Sequence, residues 1–334
     1  MRLAALAVCV ALAAATAPLA GGAAPQTALL RALADVRSGP QAHAEFDYAD
    51  LAAVRRLAGY PPSYAGARRS GRLTSRWTRL LGVGSGNLAA AELVLAPRTG
   101  IDLFAADRAI SIGQPPKVAV RIDGAALDTA KIERALRANG SKPKRGAGGR
   151  EYLARGQEGS IDLKRPLTSL VLALLDRAVV GPHVFAASGF EEPVDEVLGG
   201  RPSLATVPEF ATAAGCLGDV IAAQLVSGSL ARVPDSALVA VGVRSPSGPD
   251  APVDEVLCSV TRGAAVASRQ AAALRRAIRV GGQAWSQGVT KETVAVRRGP
   301  LPAVQLVLTR GGQAPPGVVF DLLVRGDAAA LLDG

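Results

Sequence analysis

The apolar positions of this chain follow two spacings. At Leu29, Leu30, Leu33 and Val36, and again at Leu51, Val54 and Leu57, they recur at helical intervals, so residues 25–58 are predicted helical. Gly59-Tyr60-Pro61-Pro62 ends that stretch, and the chain to Gly86 reads as loop with a short helix around Trp77–Leu81. Residues 101–112 suggest a short helix and a strand. Val118–Ile122 alternates and is rich in β-branched residues, the mark of a strand. Asp128 can cap a helix carrying Ile132, Ala135 and Leu136, and Asn139-Gly140 stops it. Ser141–Gly149 is a basic loop or hairpin, followed by a strand at Glu151–Ala154, a helix at Leu167–Leu175 and a strand or strand pair at Ala178–Ala187. Helical pieces are predicted at Pro193–Leu198 and Pro208–Val226.

From Val233 a similar order begins. Strands are predicted at Ala237–Val243 and Val256–Val260, then a helix at Ala264–Ile278, strands at Thr293–Arg297, Ala303–Leu308 and Val318–Val324, and a closing helix at Asp327–Leu332. Strand, helix and then strands, met twice, predicts an α+β fold. It would be two antiparallel-sheet units with helices packed on one face of each. The repeated order raises a diverged duplication, although residue-level similarity between the halves is weak. The predicted divisions are 1–24, a signal peptide; 25–100, a helical and Arg-rich segment; 101–232, the first unit; and 233–334, the second.

The first division rests on chemistry as much as on pattern. Arg2 precedes an uncharged run, Leu3–Ala17, and small residues follow around Pro18, Gly21 and Gly22. That is the order of a secretory signal, with cleavage favoured after Ala23. An uncleaved N-terminal anchor is the alternative. Lipidation at Cys9 is disfavoured by the bulky Val8 before it and the short apolar run preceding it. Export would leave Cys216 and Cys258 in an oxidising compartment, where they are expected to form a disulfide pinning a helix to a strand.

With 334 residues, 49% of them hydrophobic and 20% charged, the chain can bury sizeable cores and is not generally disordered. Aromatics are only 4%, so the core must be aliphatic and Ala-rich. Two His and three Cys leave little for a metal or haem site, and no metal or cofactor is expected. The net charge is +10, but the basic residues are overwhelmingly Arg beside abundant Ala and Gly, which reads as coding bias. Their distribution is more informative. Residues 51–91 hold Arg55, Arg56, Arg68, Arg69, Arg72, Arg76 and Arg79, with Tyr60, Tyr64 and Trp77 between them and no acid. Such a segment is a candidate anion-binding surface, set against a merely solvated basic stretch.

The phrase Gly199-Gly200-Arg201-Pro202-Ser203-Leu204-Ala205-Thr206-Val207-Pro208-Glu209-Phe210, with Ser188-Gly189 before it and a helix and strand after it, resembles an "SLA…P.F" hinge. That hinge occurs in uncharacterised exported bacterial, notably actinobacterial, proteins built of repeated α+β units. The resemblance covers roughly residues 110–260 and implies a fold type and an exported address, with no activity and no functional residue. The terminal Arg325-Gly326-Asp327 also looks like a recurring ending of such proteins and reads as a turn.

Candidate chemistry is sparse. His43 stands beside Glu45 in a polar helical stretch, and His183 begins a strand. Ser188 lies five residues from His183, which puts the two on opposite faces of a strand. Glu191, Glu192, Asp195 and Glu196 form an acidic cluster suited to a helix N-terminus. Gly82-Val83-Gly84-Ser85-Gly86-Asn87 lacks both phosphate-loop fingerprints. No catalytic residue is therefore assigned. The expectation is an exported, secreted or cell-envelope bacterial protein with a non-catalytic binding role. Its partner would be an anionic envelope polymer or an envelope protein. Nucleic acid is not expected, and membrane contact only through an uncleaved signal. The alternatives are a secreted hydrolase using carboxylates or a Ser/His site, and a structural subunit pairing through an apolar face.

Overall fold

The runs Val220–Ser227, Ser236–Arg244 and Val253–Thr261 are rich in apolar residues that do not alternate with polar ones, and nearly every position in them is buried. An antiparallel strand with one wet face alternates, so strands of this kind need cover on both faces. The computed structural model, which describes residues 26–70, 74–162, 171–233, 235–280 and 288–333, provides that cover. Its helices are α1 (Ala28–Ala34), α2 (Pro40–Ala44), α3 (Leu51–Ala58), α4 (Tyr64–Arg69), α5 (Leu88–Thr99), α6 (Thr129–Ala138), α7 (Glu191–Val197), α8 (Pro208–Leu217), α9 (Ala264–Val280), α10 (Val318–Val324) and α11 (Asp327–Asp333). Its strands are β1 (Glu45–Asp50), β2 (Arg108–Ile112), β3 (Ala119–Asp123), β4 (Lys142–Arg145), β5 (Glu151–Ala154), β6 (Arg177–Gly181), β7 (Val184–Ser188), β8 (Val220–Ser227), β9 (Ser236–Arg244), β10 (Val253–Thr261), β11 (Val289–Arg297) and β12 (Ala303–Arg310).

All twelve strands join one sheet, in the order β11-β12-β10-β9-β8-β1-β2-β3-β7-β6-β5-β4, and every pairing is antiparallel. The α+β class holds. Two separate sheets with helices on one face do not. The halves fuse where β1 pairs β8, with Phe46 opposite Leu225 and Tyr48 opposite Ala223. Alternate residues then face two cores. Val239, Val241 and Val243 join Leu51, Leu88, Leu95, Ile132, Leu274 and Val319 on one face. Leu238 and Ala240 join Phe46, Leu29, Leu33, Val197 and Phe210 on the other. Both faces are apolar because the strands are, and each must be covered.

Several elements differ from expectation. Glu45–Asp50 and Val220–Ser227, predicted within helices, are the adjacent strands β1 and β8 in the interior of the sheet. Ala-rich β8 has modest helical preference, but burial on both faces of a sheet overrides it. Val318–Val324, predicted as a strand, is α10, because the buried Glu255 carboxylate accepts the Gly317 and Val319 N–H groups at 2.9 Å each and starts a helix there. The basic stretch Ser141–Gly149 begins the β4–β5 hairpin. The division placed at 233 falls in the loop after β8. The predicted signal, residues 1–24, lies outside the described residues, as do residues 163–170 of the region around the predicted helix 167–175.

Connections run in the same order in both halves. Three successive strands are followed by a helix on the same face (α6, α9) and, after the β4–β5 hairpin that among the described residues only the first half carries, by a hairpin whose second strand pairs with the third (β6–β7, β11–β12). The largest difference lies between the first two strands of each half. β8 and β9 are joined by a short loop, whereas β1 and β2 are separated by the helical insertion 51–107. Cys216, near the end of α8, is disulfide-bonded to Cys258 of β10, with an S–S distance of 2.07 Å, as the Cys count led us to expect.

Candidate functional site: a helical insertion over the sheet

The insertion is built by local signals and tied down by distant ones. Asp50 caps α3 by accepting the Ala53 N–H at 2.7 Å, and Gly59 ends that helix in a left-handed conformation. Ser63 caps α4 through the Gly66 N–H at 3.1 Å. Tyr60, Tyr64 and Phe104 pack edge to face or tilted, with centroids 5.4 and 6.0 Å apart. The carboxylate of Asp102 accepts the Tyr64 and Phe104 N–H groups at 2.9 Å each. That of Glu92, on α5, accepts the Leu103 N–H at 3.0 Å.

Two cavities flank Tyr64. One, of about 550 Å³, has Arg68, Arg69 and Lys131 on its wall, together with Ala96, Pro97 and Asp102. Arg68 and Arg69 are exposed, and none of the three cations forms an ion pair among the described residues. The second, of about 440 Å³, is mainly apolar, with Leu81, Ala89, Leu93, Leu103 and Phe104 in its wall and Leu93 64% exposed at its edge. Glu92 also lines it and is only 6% exposed. Burial, and then the neighbouring Asp102 charge, push its pKa up to about 9. Its Oε2 has no partner among the described residues, and at neutral pH Glu92 keeps its proton. The pair forms a polar wall between the cavities without adding a second negative charge.

The structure divides the seven predicted arginines. Arg55 is held by the Ala106 carbonyl and by Asp107 at 3.2 Å. Arg76 stacks on Trp77 at 4.5 Å and donates to the Pro249, Ala251 and Ala314 carbonyls, so it joins the insertion to the far half. Arg79 reaches Asp321 at 3.1 Å. Arg56 is exposed on α3, away from the cavity wall. Arg68 and Arg69 are brought together at the first cavity, Arg79 also lines the second, and Arg72 lies outside the described residues. Sequence reasoning missed Glu92, Asp102 and Lys131. Only the lone acid within the apolar run Leu88–Ala96 could have signalled the first of them.

The residues weighed for hydrolysis do not converge. Ser188 is buried at the end of β7 and donates to the Val118 carbonyl at 2.7 Å, while His183 sits in the turn at the other end of that strand. Glu196 is buried and accepts the Ala42 N–H at 2.9 Å, tying α7 to α2. Glu192 pairs with Lys117 at 2.8 Å, Glu191 with Lys144 at 2.8 Å and Asp195 with Arg150 at 2.7 Å. His43 bonds Ser38 at 2.7 Å. Gly84 of the glycine-rich loop has φ +71°, and a Cβ there would lie 2.6 Å from the Ala109 carbonyl oxygen. Its glycine serves close packing on β2. Arg325-Gly326-Asp327 turns the chain from α10 into α11.

No family model matches this chain, and no curated protein matches it. A solved structure, crystal form III of TP0453, aligns with a TM-score of 0.36 and 10% sequence identity, over 84% of this chain and 92% of that one.

Proposed function

We propose that the protein is an exported bacterial envelope or secreted binding protein that holds an amphiphilic anion in the insertion between β1 and β2. The carrying observation is the pair of cavities around Tyr64. An apolar slot suits a hydrocarbon segment, and the unpaired Arg68, Arg69 and Lys131 beside it suit an anionic end group. The two halves share a connection order, which supports descent from a duplicated unit. The insertion is the largest departure from that order, so the binding role is assigned to it. Export is supported by the charge and size order of residues 1–24 and by the Cys216–Cys258 disulfide, a bond of oxidising compartments. Among the described residues no helix is long and apolar enough to cross a membrane.

The test is titration of the full chain with a fluorescent long-chain carboxylate. Arg68→Glu with Arg69→Glu should weaken binding by about tenfold, or about 1.4 kcal/mol. Leu93→Asp, on the apolar side, should weaken it as well. Unchanged binding in both variants, or no saturable binding by the folded parent, would remove the proposal. Salt-sensitive retention on an anionic polysaccharide, lost in the arginine variant and accompanied by no binding of the amphiphile, would instead support a polymer-binding surface.

A further inference from the structure

A third cavity, of about 350 Å³, lies on the opposite half, where α8, β9 and the β11–β12 turn meet. Its wall carries Arg244, Arg297 and Arg298, and no carboxylate lines it. Elsewhere several well-covered arginines end on acids: Arg108 on Asp123 at 2.6 Å, Arg121 on Asp123 at 2.8 Å and Arg155 on Asp176 at 2.7 Å. Here two of the three are held by neutral acceptors. Arg244 Nε donates to the Leu217 carbonyl at 2.9 Å, with Asp254 at 3.6 Å from its Nη1. Arg297 donates through Nε and Nη2 to Gln305 Oε1 at 2.9 and 2.6 Å. Gln305 in turn donates through Nε2 to the Cys216 carbonyl. Both backbone acceptors belong to the last turn of α8, where carbonyls lack helical partners. The disulfide fastens that turn to β10. The guanidinium groups are thus oriented while most of their charge stays uncompensated, which is the condition for strong anion recognition.

We propose that this cavity binds the phosphate group of a small phosphate monoester. Three guanidinium groups approach from the end of β9 (Arg244), the end of β11 (Arg297) and the turn after it (Arg298). Thr212, in the α8 wall and 7% exposed, has a hydroxyl with no partner among the described residues. Donors arranged around a cavity match a tetrahedral oxyanion, which accepts in several directions, better than a planar carboxylate. The volume leaves room for the organic part of the ester. The site is independent of the cleft at Tyr64 and does not rest on the function proposed for it.

The experiment is calorimetric titration of the full chain with glycerol phosphate and with inorganic phosphate, with phosphatidic acid vesicles as a separate arm. Glycerol phosphate should bind saturably. Arg297→Gln with Arg298→Gln, both at exposed positions, should weaken binding by about tenfold or more. Gln305→Met removes no charge but frees Arg297, and should weaken it by about threefold or more. Arg68→Gln with Arg69→Gln should leave it unchanged, which separates this site from the cleft at Tyr64. Equal binding by the Arg297/Arg298 variant and the parent overturns the proposal. So does absence of saturable binding to either phosphate by folded protein, or association with vesicles alone.

Discussion

Glu92 shows how one side chain can set a property of the molecule. It is buried against Leu103 and Asp102, with its pKa pushed up to about 9 by burial first and by the Asp102 charge second. The folded state therefore holds a proton that the unfolded chain releases near pH 4.5. Stability from this group is fully present below that value and is lost as pH rises toward 9. Glu92→Gln keeps the shape, the acceptor for Leu103 and a donor for Asp102, but cannot ionise. We expect it to stabilise the protein at pH 8 by about 3 kcal/mol and to be nearly neutral at pH 4. Urea unfolding at both pH values reads the difference. Equal effects at the two would show that Glu92 is ionised in the fold. Burial also raises Glu45, Asp47, Glu196 and Glu255, so the parent should lose stability with rising pH beyond the share due to Glu92.

Two helix starts contrast local with distant instruction. α6 is capped by its own neighbour, Asp128, whose carboxylate accepts the Lys131 N–H at 2.9 Å. α10 is started by Glu255, on β10, more than sixty residues away. Asp128→Ala should cost about 1 kcal/mol, the usual loss of an exposed cap. Glu255→Ala should cost more, about 3 kcal/mol, because it strands two buried N–H groups and removes the partner of buried Arg310, 3.4 Å away. Denaturant midpoints with unchanged slopes are the measurement, and equal losses would deny the distinction. The same contrast explains the expectations. Asp128 and Asn139-Gly140 bounded α6 correctly because both signals lie inside the segment. The sequence of α10 reads as a strand because its two leading valines are local and Glu255 is not.

Across the whole molecule, β1–β8 pairing joins the halves into one sheet, Arg76 reaches from the insertion to the loops around Pro249 and Ala314, and the disulfide fixes α8 to β10. The bridged residues are 42 apart in sequence, so opening the bond should cost about 4 kcal/mol on the chain-entropy model. Intact mass of the protein without reductant should be lower by one pair of hydrogens than after reduction, and the unfolding midpoint should fall on reduction. Labelling of free thiols at both Cys216 and Cys258 in the untreated protein would defeat this. Since the bond anchors the carbonyls that orient Arg244 and Gln305, its loss should be felt at the phosphate cavity as well.

Features that depend on neighbours along the chain are legible in the sequence. It carried the α+β class, strand structure over residues 178–187, the α6 cap and stop, and the Cys216–Cys258 bridge. It also marked residues 51–91 as basic. Tertiary structure alone decided that β1 and β8 are strands, that helices cover both faces, and that Arg68 and Arg69 reach a cavity while Arg55, Arg76 and Arg79 bond carbonyls and acids of distant segments. The physical reason is the range of the forces. Caps and turns act over a few residues and are written locally. Burial on both faces, and the pairing of a charge with a remote acceptor, exist only once the chain has brought those segments together.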